Sequence, residues 1–375
     1  MIEVGLVKLV RRIDRVAILD MAASLELRPG ELFYILGPSG SGKTTLARLI
    51  AGLDRPDDGE IFFDGKLVND APPESRGVGL LFQGDPLWPH LNVADNVGLA
   101  LKHQGLNRID RRGRVAESLT MARIDSLAAR KPDELTPLQR RRAGLARALA
   151  VRPRILVFDE PTAGLDPRDA DEFRDDMRRL HAELELTTLV LTRDAREALS
   201  MAERLAVLDL GRIVQTGQPA EVYNRPVDAL VGRLLGPINL FQGQVEGPES
   251  RGGVVVRTPL GRLIGQAPAG TPAAGSPVTV AIRPEALWHG GLVPQGANRF
   301  AATLERQVFL GELRALHLRG PGDWPLMALA IQAQSAGLRE GQGLTLAVMP
   351  ESVIIFRGRN TPTLDDAGIG RIETT

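Results

Sequence analysis

The feature that most constrains the fold is a glycine-rich segment near the N-terminus. Its residues are Gly37, Pro38, Ser39, Gly40, Ser41, Gly42, Lys43, Thr44 and Thr45. An apolar run at 32–36 precedes the segment, and a helical pattern at 44–51 follows it. The spacing fits G-x-x-x-x-G-K-[ST], whose glycines let successive backbone N–H groups surround phosphate oxygens where a helix begins. A turn that merely caps a helix is the alternative, but this strand-to-helix setting favours a phosphate site.

Two side chains of this segment predict which ligands it binds. Lys43 supplies a full positive charge next to the partial positive charge of the helix N-terminus. Thr44 supplies a hydroxyl oxygen of the kind that ligates Mg²⁺. We therefore expect ATP and Mg²⁺ as the ligands.

A pair of acids follows a second apolar run, at 154–158. Asp159 and Glu160 stand where that run ends, and ligands of open α/β sheets collect beyond the carboxyl ends of the strands. We expect Asp159 to hold Mg²⁺ and Glu160 to polarise a water molecule. Taken alone, the acids could equally cap the next loop. Together with the glycine-rich segment they favour a catalytic site.

The alternation of apolar runs and helical patterns predicts how the chain is organised. With 375 residues the chain exceeds the usual size of one core, so we expect two domains. Strand-like runs at 32–36, 78–82, 154–158 and 187–191 predict an α/β P-loop NTPase domain over 1–235, with a helical subdomain at about 84–150.

The sequence pattern of the chain changes after residue 235. Short strand-like runs at 278–283, 301–310 and 344–349 lie between glycines and prolines. They predict a small β-barrel over 236–357, and the polar composition of 358–375 predicts a flexible tail.

The composition excludes several classes of function. Lys plus Arg and Asp plus Glu number 46 each, so no global positive field favours nucleic acid as a partner. Cysteine is absent, which excludes disulfides, thiolate metal sites and thiol catalysis. No window approaches the roughly 18 apolar residues of a membrane span. We expect any membrane contact to be made through a partner.

Further motifs resemble those of the ATPase subunits of ABC importers, over nearly all of residues 1–357. Phe82-Gln83 with 89–93 and 96–97 resembles the Q-loop, and 165–167 resembles the D-loop. Asp194, Glu197 and Ala198 resemble the switch segment. The stretches 211–217 and 221–226 resemble the family's closing region. Gly236–Leu240, Ile282–Glu285 and Leu310-Gly311 resemble pieces of its TOBE-type domain.

This resemblance implies the partners and the location of the chain. In the family, the Gln of the Q-loop, here Gln83, meets Mg²⁺ and the attacking water, and its segment contacts a membrane subunit. We therefore expect membrane-spanning permease subunits and a second ATPase subunit, identical or different, as partners. A solute-binding protein would act indirectly. The location implied is peripheral, on the cytoplasmic side of the inner membrane.

The signature motif of the family departs from its pattern here. The family has Leu-Ser-Gly-Gly-Gln, which grips the γ-phosphate bound to the partner subunit, whereas this chain has Leu-Thr-Pro-Leu-Gln at 135–139. Pro137 has no N–H to donate and Leu138 adds a bulky side chain, so we expect a weaker grip through Thr136 and Gln139. A capping box with Thr136 as N-cap, Pro137 at N1 and Gln139 at N3 explains the same residues as a helix start.

Two other positions depart from the family. Arg193 stands where the family has a switch His, so it either binds the γ-phosphate or pairs with Glu160 and withdraws the base. The second outcome would impair hydrolysis. The family also stacks adenine on an aromatic ring near the N-terminus, whereas the matching region here holds Ile13 and Asp14.

Three functional hypotheses follow from these residues. The first is an ATP-hydrolysing motor subunit of an importer, with polyamines ranked first among small solutes. The second is a weakly hydrolysing subunit paired with a different ATPase subunit. The third is a soluble ATP-sensing regulator without a membrane partner.

Overall fold

The chain forms two compact units, each built around its own core. A computed structural model describes residues 1–84, 87–102, 104–249, 252–267, 270–290 and 295–358. The first unit is Met1–Pro219, and the second begins at Ala220. Apart from Gly358, the tail predicted at 358–375 lies outside the described residues.

The first unit contains strands β1 to β11 and helices α1 to α7. The strands are β1 (Val4–Ile13), β2 (Val16–Asp20), β3 (Leu25–Leu27), β4 (Leu32–Leu36), β5 (Asp58–Phe63), β6 (Lys66–Leu67), β7 (Val78–Leu81), β8 (Ile155–Asp159), β9 (Thr187–Thr192), β10 (Arg204–Asp209) and β11 (Arg212–Gly217). The helices are α1 (Lys43–Ala51), α2 (Pro73–Arg76), α3 (Val93–Leu99), α4 (Arg108–Met121), α5 (Pro137–Ala150), α6 (Pro167–Leu184) and α7 (Ala195–Met201).

A parallel sheet forms the centre of this unit. Its strand order is β11-β10-β4-β9-β8-β7, and only the edge pair of β11 and β10 is antiparallel. Every residue of β4, β8 and β9 is buried, which is why these strands appear in the sequence as continuous apolar runs. The strands predicted at 32–36, 78–82, 154–158 and 187–191 are confirmed to within one residue at each end.

The order β4-β9-β8 brings three loops together at one edge of the sheet. Leu36 pairs with Thr192, and Asp159 pairs with Leu191, so these strands end at the same level. The glycine-rich loop follows β4, Glu160 follows β8, and Arg193 follows β9. Because parallel strands present their carboxyl ends at one edge, residues more than 100 positions apart meet there.

A second, antiparallel sheet and the helix-rich segment complete the unit. The antiparallel sheet has the order β2-β1-β5-β6, with β3 beside β1. Its core residues and those of the parallel sheet join α1 in one cluster that includes Leu6, Leu46, Ile50 and Ile155. Helices α3, α4 and α5 contact one another, as expected for the helical subdomain predicted at about 84–150.

The second unit is almost entirely β-structure. Its strands are β12 (Asn239–Pro248), β13 (Val254–Thr258), β14 (Gly261–Gly265), β15 (Pro277–Ile282), β16 (Trp288–His289), β17 (Asn298–Phe309), β18 (Leu313–Arg319), β19 (Pro325–Ile331), β20 (Gly343–Val348) and β21 (Val353–Arg357). Its helices are α8 (Pro219–Asn224), α9 (Ala229–Leu234) and α10 (Gln332–Ser335).

Two antiparallel sheets surround the core of the second unit. Their orders are β14-β13-β12-β15-β21 and β16-β20-β17-β18-β19. Both sheets supply side chains to one apolar cluster, for example Phe241 and Val280 from the first and Leu316 and Leu326 from the second. The predicted small β domain is confirmed, and two sheets around one core fit an OB-like barrel.

The segment 220–235 packs with the β unit, although the sequence prediction groups it with the first domain. Arg283 donates to the carbonyl oxygens of Gly232 at 2.9 Å and Gly236 at 3.1 Å. Ala229 joins an apolar cluster with Leu240 and Ile354. A short helical segment has no core of its own, so these contacts decide which unit holds it.

Candidate functional site

The path of the glycine-rich loop requires glycine at two positions. A Cβ atom at Gly37 would lie 2.3 Å from the carbonyl oxygen of Leu208 and 2.6 Å from Ser41 Oγ. Gly42 has φ 103°, and a Cβ there would lie 2.8 Å from the carbonyl oxygen of Ile18. Any larger side chain would clash with backbone at both positions, so these glycines determine the curl of the loop.

The start of α1 is open to an anion. Gly42 is its N-cap and offers no side chain to accept from the first backbone N–H groups. These groups carry the partial positive charge of the helix terminus. Around them, Ser39, Gly40 and Thr44 are exposed, Pro38 and Thr45 are half-buried, and Ser41 and Lys43 are buried. The loop therefore has the form of a phosphate cradle.

Lys43 places a cation in the centre of the loop. Only 6% of the residue is exposed, and its Nζ donates to the carbonyl oxygens of Gly37 at 2.8 Å and Pro38 at 2.9 Å. The same atom lies 3.3 Å from Glu160 Oε1. The glycine-rich loop and the acid that follows β8 thus meet in one ion pair.

Asp159 and Thr44 form a second link between the same two segments. Thr44 Oγ1 donates to Asp159 Oδ2 at 2.6 Å. Asp159 is fully buried, and its Oδ1 has no hydrogen-bond partner among the described residues. Burial raises the pKa of Asp159, whereas the bond from Thr44 lowers that pKa in part. A buried carboxylate oxygen without a partner, beside a hydroxyl, fits the oxygen ligands that Mg²⁺ prefers.

Glu160 is held in a strained backbone conformation. Its φ of 51° lies in the left-handed region, which costs a non-glycine residue about 1–3 kcal/mol. The Glu160 N–H donates to the carbonyl oxygen of Leu191 at 2.8 Å, and its Oε2 accepts from the Arg193 N–H at 3.3 Å. Strained residues of this kind occur at functional sites, where neighbouring structure holds them in place.

Arg193 contacts Glu160 through its main chain. Its side chain is exposed, and its contact with Glu160 is made by the main-chain N–H. Among the residues described, the cation that pairs with the Glu160 carboxylate is Lys43. The guanidinium–carboxylate pair that would withdraw the base is therefore not formed here.

Gln83 is exposed just beyond β7, two residues past the end of that strand. Sequence reasoning missed the residue that anchors its neighbour. Arg141 of α5 is only 4% exposed, and it donates to the carbonyl oxygens of Phe82 at 3.4 Å and Ala163 at 2.9 Å. One guanidinium thus connects α5 with the segments that carry Gln83 and Glu160. An arginine on the apolar side of a helix was the only sequence signal for it.

The segment 135–139 forms the predicted capping box. Gln139 N–H donates to Thr136 Oγ1 at 3.3 Å, and the Gln139 side chain accepts from the Thr136 N–H at 2.9 Å. Pro137 begins α5 as predicted. Leu138, which the sequence analysis expects to weaken the grip, is buried at 5% exposed. Thr136 is exposed, and its hydroxyl accepts in the box, so the O–H remains able to donate.

The hairpin of β1 and β2 occupies the region where an adenine-stacking aromatic residue is missing. Ile13 pairs with Val16 across the hairpin, and they are 52% and 61% exposed. Phe33 cannot take the aromatic role, because it is fully buried in β4. The hairpin therefore presents aliphatic side chains at its exposed end.

Comparisons with known proteins identify the family of the chain. The family model described as "ABC transporter" matches residues 21–163, and the model described as "TOBE domain" matches residues 280–356. The chain is 36% identical to a spermidine/putrescine import ATP-binding protein of Rubrobacter xylanophilus over 349 residues, which are 92% of this chain and 91% of that protein. It is 38% identical to a sulfate/thiosulfate import ATP-binding protein of Ralstonia nicotianae, over 89% of this chain and 90% of that protein.

A solved structure resembles the first unit. It is a dimeric, post-hydrolysis state of an ATP-binding cassette bound to ADP and phosphate. The match has a TM-score of 0.52 at 31% identity and covers 58% of this chain and 98% of that one. Within the described ranges, no helix has both the length and the apolar character needed to cross a membrane.

Proposed function

This chain belongs to the ABC transporter family as an ATP-binding, ATP-hydrolysing subunit of an importer, and from that premise we propose how its site works. The glycine-rich loop at 37–45 holds the phosphates of ATP, and Glu160 is the catalytic carboxylate. Thr44, Asp159 and Gln83 hold Mg²⁺. The observation that carries this proposal is the convergence of Lys43 with Glu160 and of Thr44 with Asp159 on one edge of the sheet.

Each group has a task that its position supports. Lys43 and the N–H groups of α1 bind phosphate oxygens, and the buried Oδ1 of Asp159 is available to a cation. When bound, Mg²⁺ supplies positive charge that neutralises the β- and γ-phosphates. Glu160 orients the attacking water and accepts its proton, and the Arg193 N–H helps to fix the position of its carboxylate.

We further propose that hydrolysis takes place between two ATPase subunits that close face to face. The exposed Thr136 hydroxyl and the N-terminus of α5 from one subunit would then face the ATP bound to the other. Pro137 removes one N–H donor from this contact, and Leu138 is buried within its own subunit. The exposed Arg193 side chain adds a cation that can approach the γ-phosphate.

A cleft in the helical subdomain is the proposed docking site for the permease. It has a volume of about 630 Å³ and lies between α3 and α4. Its apolar lining includes Leu91 and Leu99, and its basic lining is made by Lys102, Arg108, Arg111 and Arg112. Four basic residues against one acidic residue, Asp95, line the cleft together with apolar side chains, which fits a short permease helix that carries an acidic residue. Docking of this kind would hold the chain peripherally, on the cytoplasmic side of the inner membrane.

Hydrolysis measured with and without the permease tests the proposal. The purified chain should hydrolyse ATP slowly alone and faster in the assembled transporter. Arg111→Glu with Arg112→Glu should abolish the stimulation and leave ATP binding intact. Arg299→Glu, an exposed change in the second unit, is the matched control. Stimulation that survives the double reversal would contradict the docking site.

A mixed pair of ATPase subunits is the second candidate function. The loss of the signature glycines at 137 and 138, together with Arg193 in the switch, favours pairing with a complete ATPase subunit. This chain's glycine-rich loop would then meet the partner's intact signature. Mass determination of the transporter purified from membranes decides the question, because two identical ATPase chains would exclude a mixed pair.

We propose a polyamine as the solute and treat sulfate as the competing outcome. One relative carries a name that specifies a cationic solute and another a name that specifies an anion, over nearly the same share of this chain. Uptake of labelled spermidine and of labelled sulfate, in cells with and without the chain, separates the two. Loss of sulfate uptake alone would overturn the polyamine proposal.

A further inference from the structure

A buried carboxylate lies directly behind the catalytic edge of the sheet. Glu197 of α7 is 1% exposed, and its Oε2 accepts two hydroxyl hydrogen bonds. One comes from Thr192 Oγ1 at 2.9 Å, at the end of β9, and the other from Thr162 Oγ1 at 3.2 Å. Glu197 Oε2 therefore joins the end of β9, called the switch strand below, to the loop that follows β8.

These two hydroxyls belong to the segments that position Glu160. Thr162 lies two residues after Glu160, in the same loop. Thr192 lies between Leu191, whose carbonyl oxygen accepts from the Glu160 N–H, and Arg193, whose N–H donates to Glu160 Oε2. Thr192 Oγ1 also accepts from the Asp194 N–H at 3.0 Å. The Glu160 N–H is thus linked to Glu197 through Leu191 and Thr192, and the chain that follows Glu160 is linked to it through Pro161 and Thr162.

The carboxyl group of Glu197 can make both of its hydrogen bonds because of the length of its side chain, and it does not need a charge to do so. Its Oε1 is buried and has no hydrogen-bond partner among the described residues. Burial, assisted by the negative charge of Asp194, raises the pKa of Glu197 to about 7, although the bonds from Thr192 and Thr162 and the Arg174 charge oppose the rise. The neutral acid is therefore well populated near neutral pH. A neutral amide of the same length reproduces its two acceptor bonds.

We propose that Glu197 is a positioning residue for hydrolysis, which holds the Glu160 loop and the switch strand in register through Thr162 and Thr192. The strained φ of Glu160 requires such support, because an unsupported left-handed residue relaxes. The proposal rests on the catalytic role proposed for Glu160. Glu197 itself does not touch the nucleotide cradle, so its effect falls on turnover and not on ATP binding.

Three substitutions of Glu197 separate the effect of side-chain length from the effect of charge. Glu197→Gln keeps the length and loses the charge, Glu197→Asp keeps the charge and shortens the side chain, and Glu197→Ala removes both. We expect kcat within about threefold of the wild type for Gln and a loss of roughly tenfold or more for Asp and Ala, in the range of a misplaced catalytic group. KM for ATP should stay within about twofold of the wild type in all three variants.

Controls keep the test decisive if a substitution at the buried site prevents folding. Thr162→Val removes one of the two bonds from a half-buried position and should lower kcat in the same direction. Ser200→Ala is the matched control, because Ser200 Oγ contacts the Glu197 carbonyl oxygen and not its carboxyl group. Its kcat should equal that of the wild type.

The outcomes distinguish this inference from the proposed function. If Glu197→Asp and Thr162→Val keep wild-type kcat while Glu160→Gln is inactive, the positioning role is overturned and the catalytic role of Glu160 stands. If Glu197→Gln is as slow as Glu197→Ala, a charge is needed and the inference is also overturned. If Glu160→Gln remains active, the catalytic assignment fails whatever the Glu197 variants do.

Discussion

Replacing Glu160 with Gln tests the catalytic assignment most directly. The amide has the same length and the same backbone requirement, so the strained φ of 51° is unchanged. It can still face Lys43, but it cannot accept a proton from water. Removal of a positioned general base typically costs roughly 10²–10⁴-fold in rate. We therefore expect kcat to fall by about that factor, which is about 3–5 kcal/mol of transition-state stabilisation.

The same substitution should not weaken ATP binding. Lys43 Nζ lies 3.3 Å from Glu160 Oε1, and both side chains are largely buried. At an effective dielectric constant near 20, two unit charges at this distance attract each other by about 5 kcal/mol. Removing the carboxylate charge frees Lys43 from this competitor and removes a repulsion on the phosphates. ATP affinity should stay equal or increase, with Lys43 still held by the carbonyl oxygens of Gly37 and Pro38.

Phosphate release and nucleotide titration measure the two effects separately. Steady-state hydrolysis of Mg–ATP gives kcat, and a fluorescent ATP analogue gives the dissociation constant. Glu185→Gln is the matched control, since Glu185 is an exposed glutamate with φ 49°, at the end of α6. It should behave as the wild type. Turnover of Glu160→Gln within threefold of the wild type would refute the reasoning.

Three further predictions concern binding and stability. Lys43→Ala should abolish ATP binding in the same titration, whereas Lys66→Ala, an exposed change in β6, should not. Asp176→Ala should lower the free energy of unfolding in urea by about 3 kcal/mol, because the fully buried carboxylate pairs with Arg142 at 2.7 Å and Arg123 at 3.2 Å. The exposed neighbour Asp175 is its control, with an expected change below about 0.5 kcal/mol. Glu197 has its pKa raised from 4.5 to about 7, so the folded state holds a proton that the unfolded chain has released. Its contribution to stability is complete below pH 4.5 and is lost as the pH rises through about 7, by at most about 3 kcal/mol. Glu197→Gln should lack this pH dependence in urea titrations, and equal slopes for both proteins would contradict the assignment.

Much of the fold and of the site could be predicted from the sequence, because the signals are local. The strand before the loop is apolar on both faces, the loop needs glycines, and the helix after it has an apolar stripe. The capping box at Thr136 and Gln139 is also a local pattern, and the structure forms it. Each of these elements is encoded by residues within about ten positions of one another.

The packing of distant segments was not predictable in the same way. The assignment of 220–235 to the β unit depends on Arg283 and on apolar contacts with strands far along the chain. The inward direction of Leu138 depends on the neighbouring helices, and the burial of Arg141 depends on the carbonyl oxygens of Phe82 and Ala163. The sequence pattern does not indicate which distant residues these buried side chains contact.

The sequence by itself determined that this chain has a phosphate-binding loop, a strand that ends in two acids, and a family to which both belong. Only the tertiary structure decided that Glu160 pairs with Lys43 and not with the side chain of Arg193, and that the Glu197 carboxylate accepts from both Thr162 and Thr192. The physical reason is that a loop motif is encoded by neighbouring residues. An ion pair or a buried hydrogen bond is decided by which strands lie side by side, and here the order β4-β9-β8 decides it.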